Sequence, residues 1–281
     1  MIIDGHAHAC GEYFDYESIM KVLDENNADK VVLCPGEVNS KKSYGLPLLS
    51  KMFQQRDFMF GVNRVIGFVT KLSGAAKHID DQNRYVHELA QMSSGRIIQA
   101  YWINPLDWDC LSTLENDYQA YGFKLIKMHQ CWHPFDMASE NVGKIFEWAL
   151  LHQMPVFVHL SNRKQVKAFI QKANDHMDNT FIVAHLIGFE DIYAHTKNPN
   201  LYYEISPPPL IDVERLKNAI DQAGANKVIL GSDTPYGKKN LQMNLNRIDA
   251  FDINEHEKNL IKGGNMYRLL FPDETMNKTE L

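Results

Sequence analysis

The chain is poor in cysteine. Its 281 residues include four, Cys10, Cys34, Cys110 and Cys131, far apart and with no C-x-x-C pair. That excludes a disulfide scaffold and fits free thiols in a reducing compartment. No apolar run approaches ~18 residues, so nothing reads as a membrane span. No basic-then-apolar leader precedes the first strand. A soluble, cytoplasmic protein is expected. Positive charge is not in excess either: the net charge is −6, whereas nucleic-acid binders usually present a basic face. No Gly-x-Gly-x-x-Gly follows the first apolar strand, which argues against a dinucleotide fold. What is present is ordinary globular composition, 44% hydrophobic and 23% charged, enough for one sizeable core.

Within that composition, short apolar runs alternate with helical periodicity. Strands are predicted at 1–8, 30–34, 96–103, 124–129, 155–159, 180–185, 201–205 and 227–233. Helices are predicted at 16–27, 82–92, 110–120, 140–152, 164–173, 189–196, 213–223 and 255–271. In 140–152, for instance, Val142, Ile145, Phe146, Ala149 and Leu150 recur at helical spacing. The strands are nearly continuous in apolar residues, as expected when both faces are buried. Eight-fold alternation predicts an α/β fold, a distorted (β/α)8 TIM barrel forming one domain over 1–271, with a polar tail at 272–281. A doubly wound open sheet is the competing arrangement.

One segment breaks the rhythm. Residues 37–80 follow the second strand and are rich in Met and Phe. In a barrel such a segment emerges on the catalytic face. Leu46, Leu48, Leu49, Met52, Phe53, Phe58, Met59 and Phe60 make it too apolar for a free-standing loop. It is expected to form a lid, with Arg64 or Arg56 holding a substrate carboxylate through a bidentate contact. The alternative is that its apolar residues build a homodimer interface and both arginines face water.

Polar residues fall where a barrel would gather them. The chain opens Ile3-Asp4-Gly5-His6-Ala7-His8. Strand alternation points Asp4, His6 and His8 the same way, and two imidazoles so held can grip one divalent metal. The fourth strand ends in His129, the fifth in His159, the sixth in His185 and the eighth in Asp233. All strand C-termini of a barrel open on one face, where the active site sits. Parity agrees: Phe157 and His159 share a face, as do Phe181, Val183 and His185, and Ile229, Gly231 and Asp233. One strand-end histidine is more often a hydrogen-bonded polar residue than a ligand, and a strand-end aspartate often caps the next helix. Four on one rim, joined to His-x-His, are poorly explained that way. His78, His87, His152, His176, His195 and His256 lie in helices or loops and read as surface or packing residues, as does His133 after the fourth strand.

These motifs resemble the amidohydrolase superfamily, in its second large branch of metal-dependent hydrolases and decarboxylases, the aminocarboxymuconate-semialdehyde-decarboxylase-like enzymes. The matching stretches are Ile-Asp-Gly-His-Ala-His at 3–8, Gly-Phe-Lys-Leu-Ile-Lys-Met-His at 122–129, Pro-Val-Phe-Val-His at 155–159, Val-Ala-His-Leu-Ile-Gly at 183–188, Gly-Ser-Asp-Thr-Pro at 231–235 and the closing 261–271. Segment 37–80 lies outside them. The resemblance implies one divalent metal ion, usually Zn2+, held by His6, His8, His159 and Asp233. It implies that His185 orients or deprotonates a water or binds the substrate, and His129 is a candidate substrate contact. In other branches a fourth-strand lysine is carbamylated and bridges two metals; Lys127 shares parity with His129, which leaves one ion or two open.

That ligand set implies metal-activated water, whose pKa can fall from about 15.7 to about 7, with Asp233 passing its proton to the leaving group. The expected activity is hydrolysis of a C–O or C–N bond, in an ester, lactone or amide, on a small anionic substrate. The alternatives are a non-oxidative decarboxylase of the same superfamily and a barrel that has lost catalysis and serves as a binding protein. The partner is a small molecule, not nucleic acid or membrane.

Overall fold

Eight short apolar strands, each buried on both faces, set the architecture. The structure, a computed structural model, describes residues 1–52 and 58–274. Strands β1 (Ile3–His8), β2 (Lys30–Cys34), β3 (Ile97–Trp102), β4 (Leu125–His129), β5 (Val156–His159), β6 (Phe181–Val183), β7 (Leu201–Glu204) and β8 (Val228–Ile229) pair in sequence order. Every pairing is parallel. Backbone bonds from Gly5 N to Leu230 O (2.9 Å) and from Ser232 N to His6 O (3.1 Å) join the chain beyond β8 to β1. The result is a (β/α)8 barrel, as the alternation predicts.

Helix α1 (Tyr16–Glu25) starts at Asp15, whose carboxylate accepts from Ser18 N at 2.9 Å, satisfying one of the amides a helix start leaves free. After β2 the excursion is not a loop. It holds α2 (Leu49–Met52), α3 (Phe58–Ser73) and a tight turn before α4 (Ile79–Met92). Phe53 and Arg56 lie outside the described residues. Then come α5 (Cys110–Tyr121), α6 (Glu140–Leu151), α7 (Arg163–Asp175), α8 (Phe189–His195) and α9 (Val213–Ala223), close to expectation. A helix not predicted, α10 (Asn240–Asp249), follows β8. The predicted closing helix is divided into α11 (Glu255–Asn259), a π turn (Leu260–Gly264) and α12 (Asn265–Leu270). In that turn Gly263 approaches the chain start so closely that a Cβ there would sit 2.9 Å from Met1 O. No helix among the described residues is long and apolar enough to cross a membrane.

Two apolar layers hold the barrel. Ile3, Val32, Ile98, Leu125, Phe157, Ile182 and Ile229 fill the interior, with Met266 and Leu270 of α12 closing its N-terminal end. Val31, Leu33, Ile126, Val158, Phe181 and Val183 pack outward against Ile19, Leu114, Phe146, Phe169 and Leu216 of the helices.

This layering corrects two parity expectations. In β1, Asp4 pairs with Val31 and Ala7 with Leu33, so two residues, Gly5 and His6, oppose one, Val32. Such a bulge resets the alternation. Asp4 turns to the outer layer, where it accepts from Tyr13 OH (2.6 Å) and Ser232 N (2.9 Å), while the His6 ring packs on interior Phe157 (4.6 Å between centroids). In β6, Phe181 and Val183 face outward. His185 reaches the barrel mouth because the strand ends before it and its backbone is left-handed, φ 58°.

Candidate metal centre

The mouth of the barrel gathers the strand-end residues, and one aspartate is their hub. Asp233 Oδ1 lies 3.5 Å from His8 Nε2 and 3.8 Å from His6 Nε2; its Oδ2 lies 3.9 Å from His185 Nε2. The ligand atoms of His6, His8 and Asp233 all fall within 4.8 Å of one another, and all three residues are buried. Asp233, like His185, has a left-handed backbone (φ 53°). Such conformations cost roughly 1–3 kcal/mol in non-glycine residues and collect at functional sites.

Partners on the far side of each ring set which nitrogen faces the centre. His8 Nδ1 donates to Pro35 O at 2.6 Å, leaving the Nε2 lone pair toward Asp233. His185 Nδ1 donates to Ser206 O at 2.6 Å. Glu204, fully buried at the end of β7, places Oε2 3.5 Å from His6 Nδ1 and 3.4 Å from His185 Nδ1. Metal-bound imidazoles are oriented in this way, by a carboxylate or carbonyl on the other nitrogen. Burial and then the Lys127 ammonium push the His6 imidazole down to about 3, so it stays neutral, as a ligand must. Burial pushes the Asp233 carboxyl up, but His185, His8 and His6 outweigh it and hold it below the usual carboxylate range. The donor set fits a divalent ion: the imidazole nitrogens of His6 and His8 and the Asp233 carboxylate converge in a buried pocket.

Other expected residues stand differently. His159 is outside the trio around Asp233. Its Nε2 lies 3.0 Å from Asn63 Oδ1 and 3.8 Å from Cys131 Sγ, and with His129 and Cys131 it forms a second group of close ligand atoms. His129 stacks on Trp102 (5.1 Å between centroids, 5° between planes) and against His159 (3.8 Å). Lys127 is fully buried, with Nζ 2.7 Å from His6 Nε2 and 4.0 Å from the Phe157 ring centroid. Burial lowers its pKa. His133 is buried and bonded by Trp102 Nε1 (3.2 Å).

The segment after β2 covers this mouth. A cleft of about 440 Å³ runs from His129, His159, His185 and Asp233 to the inner face of α3. Met59, Val62, Asn63, Ile66, Val69, Thr70 and Ser73 line it, at the spacing of one helical face. Arg64 does not. It falls on the solvent side of that helix and is exposed, because one residue's step past Asn63 rotates a side chain by about 100°. The clamp expected of Arg64 is therefore corrected; Arg56 lies outside the described residues. Val65, largely exposed, lines the rim of the cleft, and the outer face of α3 leaves Phe68 and Leu72 exposed.

Two partners were missed. Asn63 Nδ2 donates to Leu160 O (3.0 Å) and Ser161 O (3.3 Å), which turns its Oδ1 to His159. Nothing in the sequence marks it, since α3 itself was not foreseen. Glu204 had a signal, the lone acid in an otherwise apolar strand. Its replacement is a direct check on ring orientation. Glu204→Gln is expected to weaken Zn2+ binding ~10–100-fold, read by competition with a chromogenic chelator; unchanged affinity would remove Glu204 from the site.

The chain belongs to the amidohydrolase family, whose sequence profile matches residues 53–271. The match takes in His159, His185 and Asp233, begins after β1, and includes part of the segment that the motifs alone leave outside. The family is one of metal-dependent enzymes. No curated protein matches the chain at a significant level. Among solved structures, it resembles a probable 2-pyrone-4,6-dicarboxylic acid hydrolase from Acinetobacter baumannii with citric acid bound (TM-score 0.67, 13% identity, 96% of this chain and 98% of that one). It also resembles a 4-oxalomesaconate hydratase from Rhodopseudomonas palustris (TM-score 0.65, 15% identity, 96% and 95%). A third is a dihydroxybenzoic acid decarboxylase from a Polaromonas species with bound manganese (TM-score 0.64, 13% identity, 98% and 98%). At these identities the likeness is one of fold, and three reactions share it.

Proposed function

We propose that the chain is a metal-dependent hydrolase that cleaves a C–O or C–N bond in a small ester, lactone or amide. The observation that carries this reading is the Asp233 carboxylate, with one oxygen toward His6 and His8 and the other toward His185. One divalent ion, zinc by ligand type, would be held by His6, His8 and Asp233 with His159 as a further donor, and would supply the Lewis acidity that acidifies water and polarises a carbonyl.

The remaining work falls to the chain. Asp233, ionised and beside the reacting water, accepts its proton on the oxygen facing His185 and delivers it to the departing alkoxide or amine. His185 is fixed by Ser206 O and Glu204, so its Nε2 can only address Asp233 and whatever is bound there. His129 and Trp132 line the cleft beside the inner face of α3. His185→Ala is expected to retain the metal and lose ~10²–10⁴ in kcat. Metal lost together with turnover would instead make His185 a ligand.

The test is a panel of phenyl esters, lactones and anilides, assayed as purified, after chelation, and after adding back Zn2+ or Mn2+. Metal-restored hydrolysis of at least one class is expected; no hydrolysis in any arm sinks the reading. A second reading, non-oxidative decarboxylation, is supported by the fold likeness to decarboxylases. Release of CO2 from a hydroxybenzoate panel, without ester hydrolysis, would favour it.

A further inference from the structure

The part of the cleft distant from Asp233 has a chemistry of its own. Its wall is Leu46, Leu49, Val62, Ile66 and Val69. Among the described residues, no lysine or arginine lines the cleft, and its charged side chains are Asp233 on the floor and Glu37 at the rim. Glu37 is already engaged: Tyr44 OH donates to its two oxygens at 2.8 and 3.0 Å, and Tyr44 stacks on Tyr236. The wall is also held in place. Asn63, 4% exposed, ties α3 to the end of β5 through Leu160 O, Ser161 O and His159. The apolar face of α3 therefore keeps one register over the reacting centre.

We propose that the inner face of α3 selects substrates whose distal group is uncharged and apolar, an alkyl or aryl group rather than a carboxylate. This rests on the hydrolase reading only for which bond is broken. The physical reason is desolvation: a carboxylate laid along this wall would lose water, find no counter-charge among the described residues and approach Glu37. An apolar group gains what the carboxylate loses.

The experiment separates binding from chemistry. Butyrophenone and benzoylpropionate are ketones that differ by a methyl against a carboxylate at the far end, and neither can be hydrolysed. Calorimetric titration of the zinc-loaded protein is expected to favour butyrophenone by ~10²-fold, the penalty of an unpaired buried charge. Val69→Lys, at a half-exposed rim position of the wall, should narrow that ratio ~2–5-fold by supplying a counter-charge; Ile66→Lys, deeper in the wall, is the second variant, with circular dichroism to confirm folding. Arg64→Ala should leave the ratio unchanged. The parallel pair of substrates, phenyl butyrate and monophenyl succinate, should show the same order in kcat/KM.

Equal or tighter binding of benzoylpropionate would overturn the proposal. So would a ratio insensitive to both lysine variants, or benzoylpropionate binding weakened by Arg64→Ala. If neither ester is hydrolysed but the ketone ratio holds, the hydrolase reading fails and the selectivity of α3 stands.

Discussion

Asp233→Asn is expected to lower kcat/KM by ~10³–10⁴-fold while the protein stays folded. Asparagine keeps the size of the side chain and one acceptor oxygen. It loses the charge that His6, His8 and His185 surround, and it cannot take a proton from water. The lost factor is what general-base removal costs, ~10²–10⁴, enlarged by a weaker hold on the cation. Steady-state kinetics with metal content measured on the same sample separate the two parts. Equal loss of kcat and kcat/KM at full metal content would assign the whole effect to proton transfer. Near-native turnover would place the base elsewhere.

Phe157→Ala should cost the fold more than any change at the rim. The ring is fully buried in the barrel interior, one layer below the site, with His6 packed on one part of it and the Lys127 amine 4.0 Å from its centroid. Removing a buried phenylalanine costs about 3–5 kcal/mol, through lost transfer energy and an unfilled cavity. Urea unfolding should show a lower midpoint at unchanged slope. Because His6 rests on this ring, metal affinity should fall as well. A loss under ~1 kcal/mol would mean the barrel interior collapses around the gap and Phe157 is not its filler.

These two residues show which parts of the molecule were legible in the sequence. Phe157 could be read: a buried parallel strand is apolar along its length, and its terminal His159 gives the direction of the chain. The strand ends carrying His129 and His159 followed from the same pattern, whereas His185 and Asp233 lie two and four residues beyond the ends of β6 and β8. Alternation failed where the backbone leaves the extended region. The β1 bulge sends Asp4 outward and His6 inward, and left-handed residues turn His185 and Asp233 to the mouth; neither event leaves a mark in period-two patterning. Helix α3 was legible only as an apolar excess. Which of its faces meets the cleft depends on where Asn63 anchors it, a contact between residues 63 and 159–161 that no local pattern encodes. The charge of Arg64 suggests a role in the cleft, and the rotation of the helix places it in solvent.

The measurement that bears most directly on the site is anomalous diffraction from crystals of the metal-loaded protein, recorded on either side of the zinc and manganese absorption edges. The expected result is one strong peak bounded by His6 Nε2, His8 Nε2 and an Asp233 oxygen, at ligand distances of about 2.0–2.2 Å if the ion is zinc. A peak seated among His129, Cys131 and His159 with none beside Asp233, or no peak in the barrel mouth at all, would contradict it.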